Sequence, residues 1–189
     1  LVNNCNYGNP RSFTVDATPP SIGEVTIEPS SSSWHNSSYV SVDAAFSDQS
    51  TWGNGSGIDR VWYGFFPEGY SPSQSEVKTA NSPSICPSAC MSHNLNLTTA
   101  LPSGSWVWWY IVQDEAGTET FGHATSNITK IDTTPPYFTY GPYLNTTAND
   151  DLEATWSASD LHSGISGYLY ALDTCDFSNS SITTSTSVT

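Results

Sequence analysis

The chain has 189 residues, with four Lys or Arg against eighteen Asp or Glu and a formal net charge of −14. It therefore has no basic patch with which to hold nucleic-acid phosphates. Only 12% of residues are charged, but Ser and Thr number 53 and aromatics make up 13%, so hydroxyls make the surface polar while the apolar side chains suffice for a core, which excludes a disordered chain.

Residues 1–16 (LVNNCNYGNPRSFTVD) begin at Leu1 with no basic region leading into an apolar run, so the chain reads as a mature product or a fragment. "VDATPP" follows at Val15 to Pro20, where two prolines deny both helix and ladder hydrogen bonds and mark an extended linker. Val25 and Ile27 alternate with polar neighbours, and Val40, Val42, Ala44 and Phe46 share one face of a longer run; period two is the mark of a half-buried strand. Val61, Tyr63 and Phe65 continue the pattern, "CPSAC" (Cys86 to Cys90) reads as a loop, and Leu95 with Leu97 forms a short run. "WVWWYIV" from Trp106 to Val112 is apolar on both faces, as expected of a central strand covered on both sides. "IDTTPP" at Ile131 to Pro136 then repeats the first linker at an offset of 116 residues. Leu152, Ala154, Trp156 and Ala158 alternate again, and Tyr168, Tyr170 and Leu172 fall 107 residues after Val61, Tyr63 and Phe65. "FSDQSTWGNGSGI" (Phe46 to Ile58) corresponds to "ASDLHSGI" (Ala158 to Ile165), with Asp48 facing Asp160 and a five-residue insertion in the first copy. No run has helical spacing, and no stretch approaches the roughly 18 apolar residues of a helical membrane span.

These residues carry a resemblance. The boundary Asp132-Thr133-Thr134-Pro135-Pro136, the S-D-x-x-S-G-I turn at Ser159 to Ile165 and the turn Asp114-Glu115-Ala116-Gly117-Thr118 resemble the tandem immunoglobulin-like and fibronectin-III-like repeats of large surface proteins. In that family the third turn more often ends in Asn. The resemblance implies an all-β fold of immunoglobulin-like or fibronectin-III-like β-sandwich repeats, with 17–131 a complete unit. Residues 1–16 correspond to the terminal F–G strands of a preceding partial unit, and 132–189 to the A–C strands of a following one. The inter-sheet disulfide of antibody domains has no cysteines here to form it. Each partial unit supplies what the other lacks, so the expectation is head-to-tail completion between copies.

Candidate chemistry is sparse. Cys86 and Cys90 have the spacing of a local disulfide, while Cys5 and Cys175 could pair only where the chain ends meet, within or between chains. His93 would extend the first pair to a zinc set, but a closed site needs a fourth ligand. Asp16, Asp48, Asp59, Asp114, Glu115, Asp132, Asp150, Asp151 and Asp160 fall mainly at turns and boundaries, where they either cap their own turns or gather around Ca²⁺; no EF-hand spacing singles Ca²⁺ out, so no cofactor is assigned. Four His (35, 93, 123, 162) and many Ser lack a nucleophile signature, so no enzyme activity is expected. Trp34, Trp52 and Tyr70 could stack on sugar rings, whereas Trp62, Trp106, Trp108, Trp109 and Trp156 read as core.

Six N-x-S/T sequons at Asn36, Asn54, Asn96, Asn127, Asn145 and Asn179, together with scarce Lys and a Ser/Thr-rich stretch from Ser178 to Thr189, point to an extracellular or cell-surface glycoprotein with N-linked and O-linked sugar. Asn36, Asn54 and Asn145 lie in turn-like contexts. The expected function is a structural subunit or repeat of an extracellular glycosylated filament or surface appendage, whose partners are copies of itself. The competing expectation is an adhesion or carbohydrate-binding module of a long repeat protein.

Overall fold

The computed structural model describes residues 15–29, 33–50, 53–146, 152–171, 181–183 and 187–188. In chain order its elements are β1 Ser21–Glu28, β2 Trp34–His35, β3 Tyr39–Ser47, β4 Gln49–Ser50, β5 Gly53–Asn54, β6 Ile58–Pro67, α1 Gln74–Ala80, β7 Ser84–Cys90, β8 Ser92–Ala100, β9 Gly104–Asp114, β10 Glu119–Ile131, β11 Tyr137–Thr146, β12 Leu152–Ser159, β13 Tyr168–Tyr170, β14 Ser181–Thr183 and β15 Ser187–Val188. The chain divides into two compact units, one of Leu1–Ser30, Ser41–Thr98 and Trp106–Ile128, the other of Ser31–Val40, Thr99–Ser105 and Thr129–Thr189.

The first unit is a β-sandwich. One sheet has the order β1-β3-β8, and the other runs β10-β9-β6-β7. On β3 the period-two face is buried in full: Val40, Val42, Ala44 and Phe46 are all in the core, because alternate side chains of a strand share a face. The two sheets meet where the Phe46 ring on β3 stands edge-on to Tyr110 on β9, with centroids 5.8 Å apart. Strand β9 pairs with β6 from Trp106 opposite Pro67 to Asp114 opposite Ile58, and with β10 on its other edge it is central in its sheet. Trp108, Ile111 and Val112 are fully buried, and Trp109 is covered by Phe121 and His123 at 5.3 and 4.3 Å.

Of the tryptophans read as core, Trp108 and Trp156 are buried, whereas Trp62, Trp106 and Trp109 are only half-buried. The Trp62 ring instead lies beneath two cations, Lys78 Nζ at 4.9 Å and the Arg60 guanidinium at 5.7 Å, which hold an aromatic face at the surface.

The chain also contains a helix that its spacing did not announce. Ser73 accepts the Glu76 amide, the Glu76 carboxylate accepts the Ser73 amide, and the two together cap α1; this reciprocal box satisfies two donors of the first turn. A single side chain, Val77, anchors the helix in the core, too few for a periodic signal. The "CPSAC" segment is likewise strand and not loop, lying within β7 with Cys90 opposite Ile58.

In the second unit β11 and β12 form an antiparallel ladder from Tyr137 opposite Ser159 to Thr146 opposite Leu152, β15 adds to β12, and β13 pairs with β14. Trp156 on β12 is buried and contacts Tyr168 and Tyr170 of β13 at 5.7 and 6.4 Å. The last residues of β10, Lys130 and Ile131, pair in parallel with Trp34 and His35 of β2. No helix among the described residues is long and apolar enough to cross a membrane.

Candidate functional site

The two D-x-T-P-P boundaries are built into matching clasps. Asp16 accepts the Thr18 amide on Oδ1 at 3.0 Å and the Ser56 amide on Oδ2 at 2.6 Å. Asp132 accepts the Thr134 amide on Oδ1 and the Ser163 amide on Oδ2, both at 3.0 Å. The first bond of each pair turns the chain into its prolines. The second ties that turn to the S-G-I segment, whose glycines, Gly57 and Gly164, sit at φ of 91° and 77°, where a side chain is disfavoured. Both carboxyls are held below their ordinary range, Asp16 by the amides of Thr18 and Ser56, and Asp132 first by the Ser163 side chain and then by the amides of Thr134 and Ser163.

The second aspartates behave differently. Asp160 stands three residues before Ser163, and its Oδ1 accepts the amides of His162, Ser163 and Gly164 at 3.0, 2.9 and 3.0 Å. Asp48 stands eight residues before Ser56, and the intervening insertion forms the small β4–β5 ladder. Among the described residues, its Oδ2 accepts a single amide, that of Gly57 at 2.6 Å, while its Oδ1 is buried with no hydrogen-bond partner. Gly55 packs so closely that a Cβ there would lie 2.5 Å from both oxygens.

The first clasp also gains a third carboxylate. Asp114, at the end of β9, accepts the Thr118 amide at 2.8 Å and the Thr118 hydroxyl, closing the turn between β9 and β10. Asp16, Asp48 and Asp114 each place a carboxylate oxygen within 4.8 Å of the others. Asp48 is fully buried and Asp114 is 1% exposed. Burial, reinforced by the charges of Asp16 and Asp114, pushes the Asp48 carboxyl above its ordinary range against the opposing bond from Gly57. Among the described residues no Lys or Arg pairs with any of the three, since Arg60 pairs with Asp59 and Lys78 with Glu119.

In the second clasp the third position is taken by an imidazole. His162 Nδ1 lies 3.8 Å from Asp132 Oδ1, and the ring rests 5.9 Å from Trp34, which Lys130 also approaches at 6.0 Å.

The remaining expectations resolve residue by residue. Cys86 and Cys90 are joined in a disulfide, with Cα atoms 6.1 Å apart; His93 is close to both sulfurs, but with the thiols oxidised they cannot act as thiolate ligands to zinc. Its Nε2 instead shares a hydrogen bond with Ser84 Oγ at 3.0 Å. Among the described residues no carboxylate reaches His93 to orient it as a base. Glu115 is exposed, and its backbone amide donates to the Gly57 carbonyl at 2.9 Å.

Asn36, Asn96 and Asn145 are exposed, with Asn96 Nδ2 donating to Asp43 at 2.6 Å. Asn54 lies on β5, Asn127 on β10 and Asn145 on β11, so Asn54 and Asn145 stand on strands and not in turns. Tyr70 is 46% exposed, stacks on Phe66 and donates its hydroxyl to Glu76. Cys5, Trp52, Asp150, Asp151, Cys175 and Asn179 lie outside the described residues.

The chain matches no protein-family model and no curated protein sequence.

Proposed function

We propose that this chain is a structural, non-enzymatic component of an extracellular glycosylated filament or surface appendage, built from immunoglobulin-like units joined in series. The observation that carries this reading is the recurrence of the boundary clasp: Asp16 with Thr18 and Ser56, Asp132 with Thr134 and Ser163, each beside a left-handed glycine. A device that fixes how a proline linker leaves its sandwich is what a series of units requires, because unconstrained linkers let neighbouring units swing. The disulfide within β7 fits an oxidising, extracellular setting.

Self-association draws support from the second unit. Tyr137, Phe138, Tyr140, Tyr143 and Leu144 on β11 are each 54 to 65% exposed. Apolar side chains displayed along one strand favour strand addition by a further copy, and such a head-to-tail contact propagates into a fibre unless its rotation closes a ring. The carbohydrate-binding alternative draws no support from the groove on the three-stranded sheet. That groove, of about 470 Å³, is lined by Glu24, Thr26, Asp43, Ala44, Ala45, Asn94, Leu95 and Asn96, none of them an aromatic platform for a sugar ring.

Sedimentation and negative-stain microscopy of the purified chain across a concentration series test the reading. Concentration-dependent polymers that disappear on deleting Leu1 to Val15 are the expected result. A chain that stays monomeric throughout, or polymers unaffected by the deletion, would overturn head-to-tail assembly.

A further inference from the structure

We propose that Asp16, Asp48 and Asp114 form a Ca²⁺ site that fastens the first boundary clasp. The three carboxylates come from separate segments: the proline linker, the end of β3 and the end of β9. Their oxygens lie within 4.8 Å of one another, which is about the span across one ion whose ligands sit roughly 2.3 to 2.6 Å away.

Acidic residues often cluster without binding anything, and the second clasp shows how such a cluster is satisfied internally. There Asp160 meets three backbone amides and Asp132 two, so the carboxylates are neutralised by the turn itself. In the first clasp the insertion after Asp48 removes the nearby amides from reach. Among the described residues, Asp48 is left with one amide, with a fully buried Oδ1 that has no donor, beside two further carboxylates and with no paired Lys or Arg. A buried ionised oxygen without a partner is costly, and a divalent cation supplies the missing charge and the missing bond together.

The donor set selects the ion. All three groups are hard oxygens, which suits Ca²⁺ or Mg²⁺ over softer metals. Three protein carboxylates converging on one point fit Ca²⁺, whereas Mg²⁺ keeps more of its water and uses one or two. Asp16 and Asp114 accept a hydrogen bond on both oxygens and Asp48 on one, so the carboxylates are oriented before the ion arrives. Bound Ca²⁺ would fasten the linker to both turns it crosses.

The test is calorimetric titration of CaCl₂ into the chelator-treated full chain, with thermal unfolding recorded alongside. One site per chain is expected, together with a rise in the unfolding temperature on adding Ca²⁺. Asp48→Asn and Asp114→Asn should each weaken Ca²⁺ binding roughly tenfold or more, while Asp160→Asn leaves it unchanged. Asp48→Asn should also unfold at or above the temperature of the Ca²⁺-free parent, because it removes a buried unpaired charge. That sign separates a lost ligand from a damaged fold, and Asp114→Asn keeps the test decisive should Asp48→Asn not fold. No heat and no thermal shift up to about 10 mM Ca²⁺, full affinity in the two ligand variants, or Mg²⁺ binding as tight as Ca²⁺ would each overturn the assignment.

Discussion

The two boundary clasps share an aspartate at the linker, two backbone amides and a left-handed glycine, yet they balance charge in opposite ways. At Asp160 the turn is short, and a single carboxylate oxygen collects three amides. At Asp48 five more residues intervene, and the carboxylate is carried into the interior with one amide and two acidic neighbours. Loop length decides the outcome, because a carboxylate collects several amides at once from the two to four residues that follow it in a tight turn, and the longer loop brings only the Gly57 amide back to Asp48. Lengthening the turn converts a self-satisfied cap into a group that needs an outside partner.

Four measurements would break or sharpen that comparison. The largest effect is expected at Gly55→Ala, whose Cβ would lie 2.5 Å from both Asp48 oxygens; overpacking at a buried site should cost about 3 kcal/mol, read as lost amide-exchange protection in the first unit. Unchanged protection there would mean that the loop can move away from Asp48, and the close packing of the first clasp would not be a constraint.

Asp160→Ala should come next. It leaves three amides without their acceptor, and by analogy with a lost helix cap it should destabilise the second clasp by about 1 to 2 kcal/mol. Exchange at the amides of His162, Ser163 and Gly164 should quicken together. Quickening at only one would show that the three bonds do not act as a set.

Gly57→Ala and Gly164→Ala probe what the clasps have in common. Both glycines have positive φ, so each substitution should cost about 1 kcal/mol in urea unfolding of its own unit. Markedly unequal costs would show that the two turns are not equivalent.

The smallest effect is electrostatic. Asp132 is held below its ordinary value of 3.8, first by Ser163 and then by the Thr134 amide, with Asp160 and His162 the titratable groups facing it. A carboxyl whose folded pKa is lowered stabilises the fold above its unfolded pKa and loses that contribution as pH falls through the folded value. Its carboxyl carbon should therefore titrate below 3.8 by NMR, and Asp132→Asn should remove the corresponding acid-side slope in the stability of the second unit. A midpoint at or above 3.8 would remove the charge-stabilising role given to this clasp.

The residues themselves determined the strand content, the buried face from Val40 to Phe46 and the local cysteine pair, because alternation and spacing are local properties that a strand or a short loop reads directly. They also marked where the two boundaries recur. The helix at Gln74–Ala80 was legible only as its Ser73 to Glu76 cap, since one buried valine makes no periodic stripe. Partial exposure of Trp62, Trp106 and Trp109 could not be read from strand position, because it depends on what covers each face of the sheet. Above all, nine acidic residues looked alike along the chain, and only the tertiary structure brought Asp16, Asp48 and Asp114 together while setting Asp132 and Asp160 on the same Ser163 amide. Residues as far apart as Asp16 and Asp114 meet through sheet pairing and turn length, and neither is encoded in the local sequence around a carboxylate.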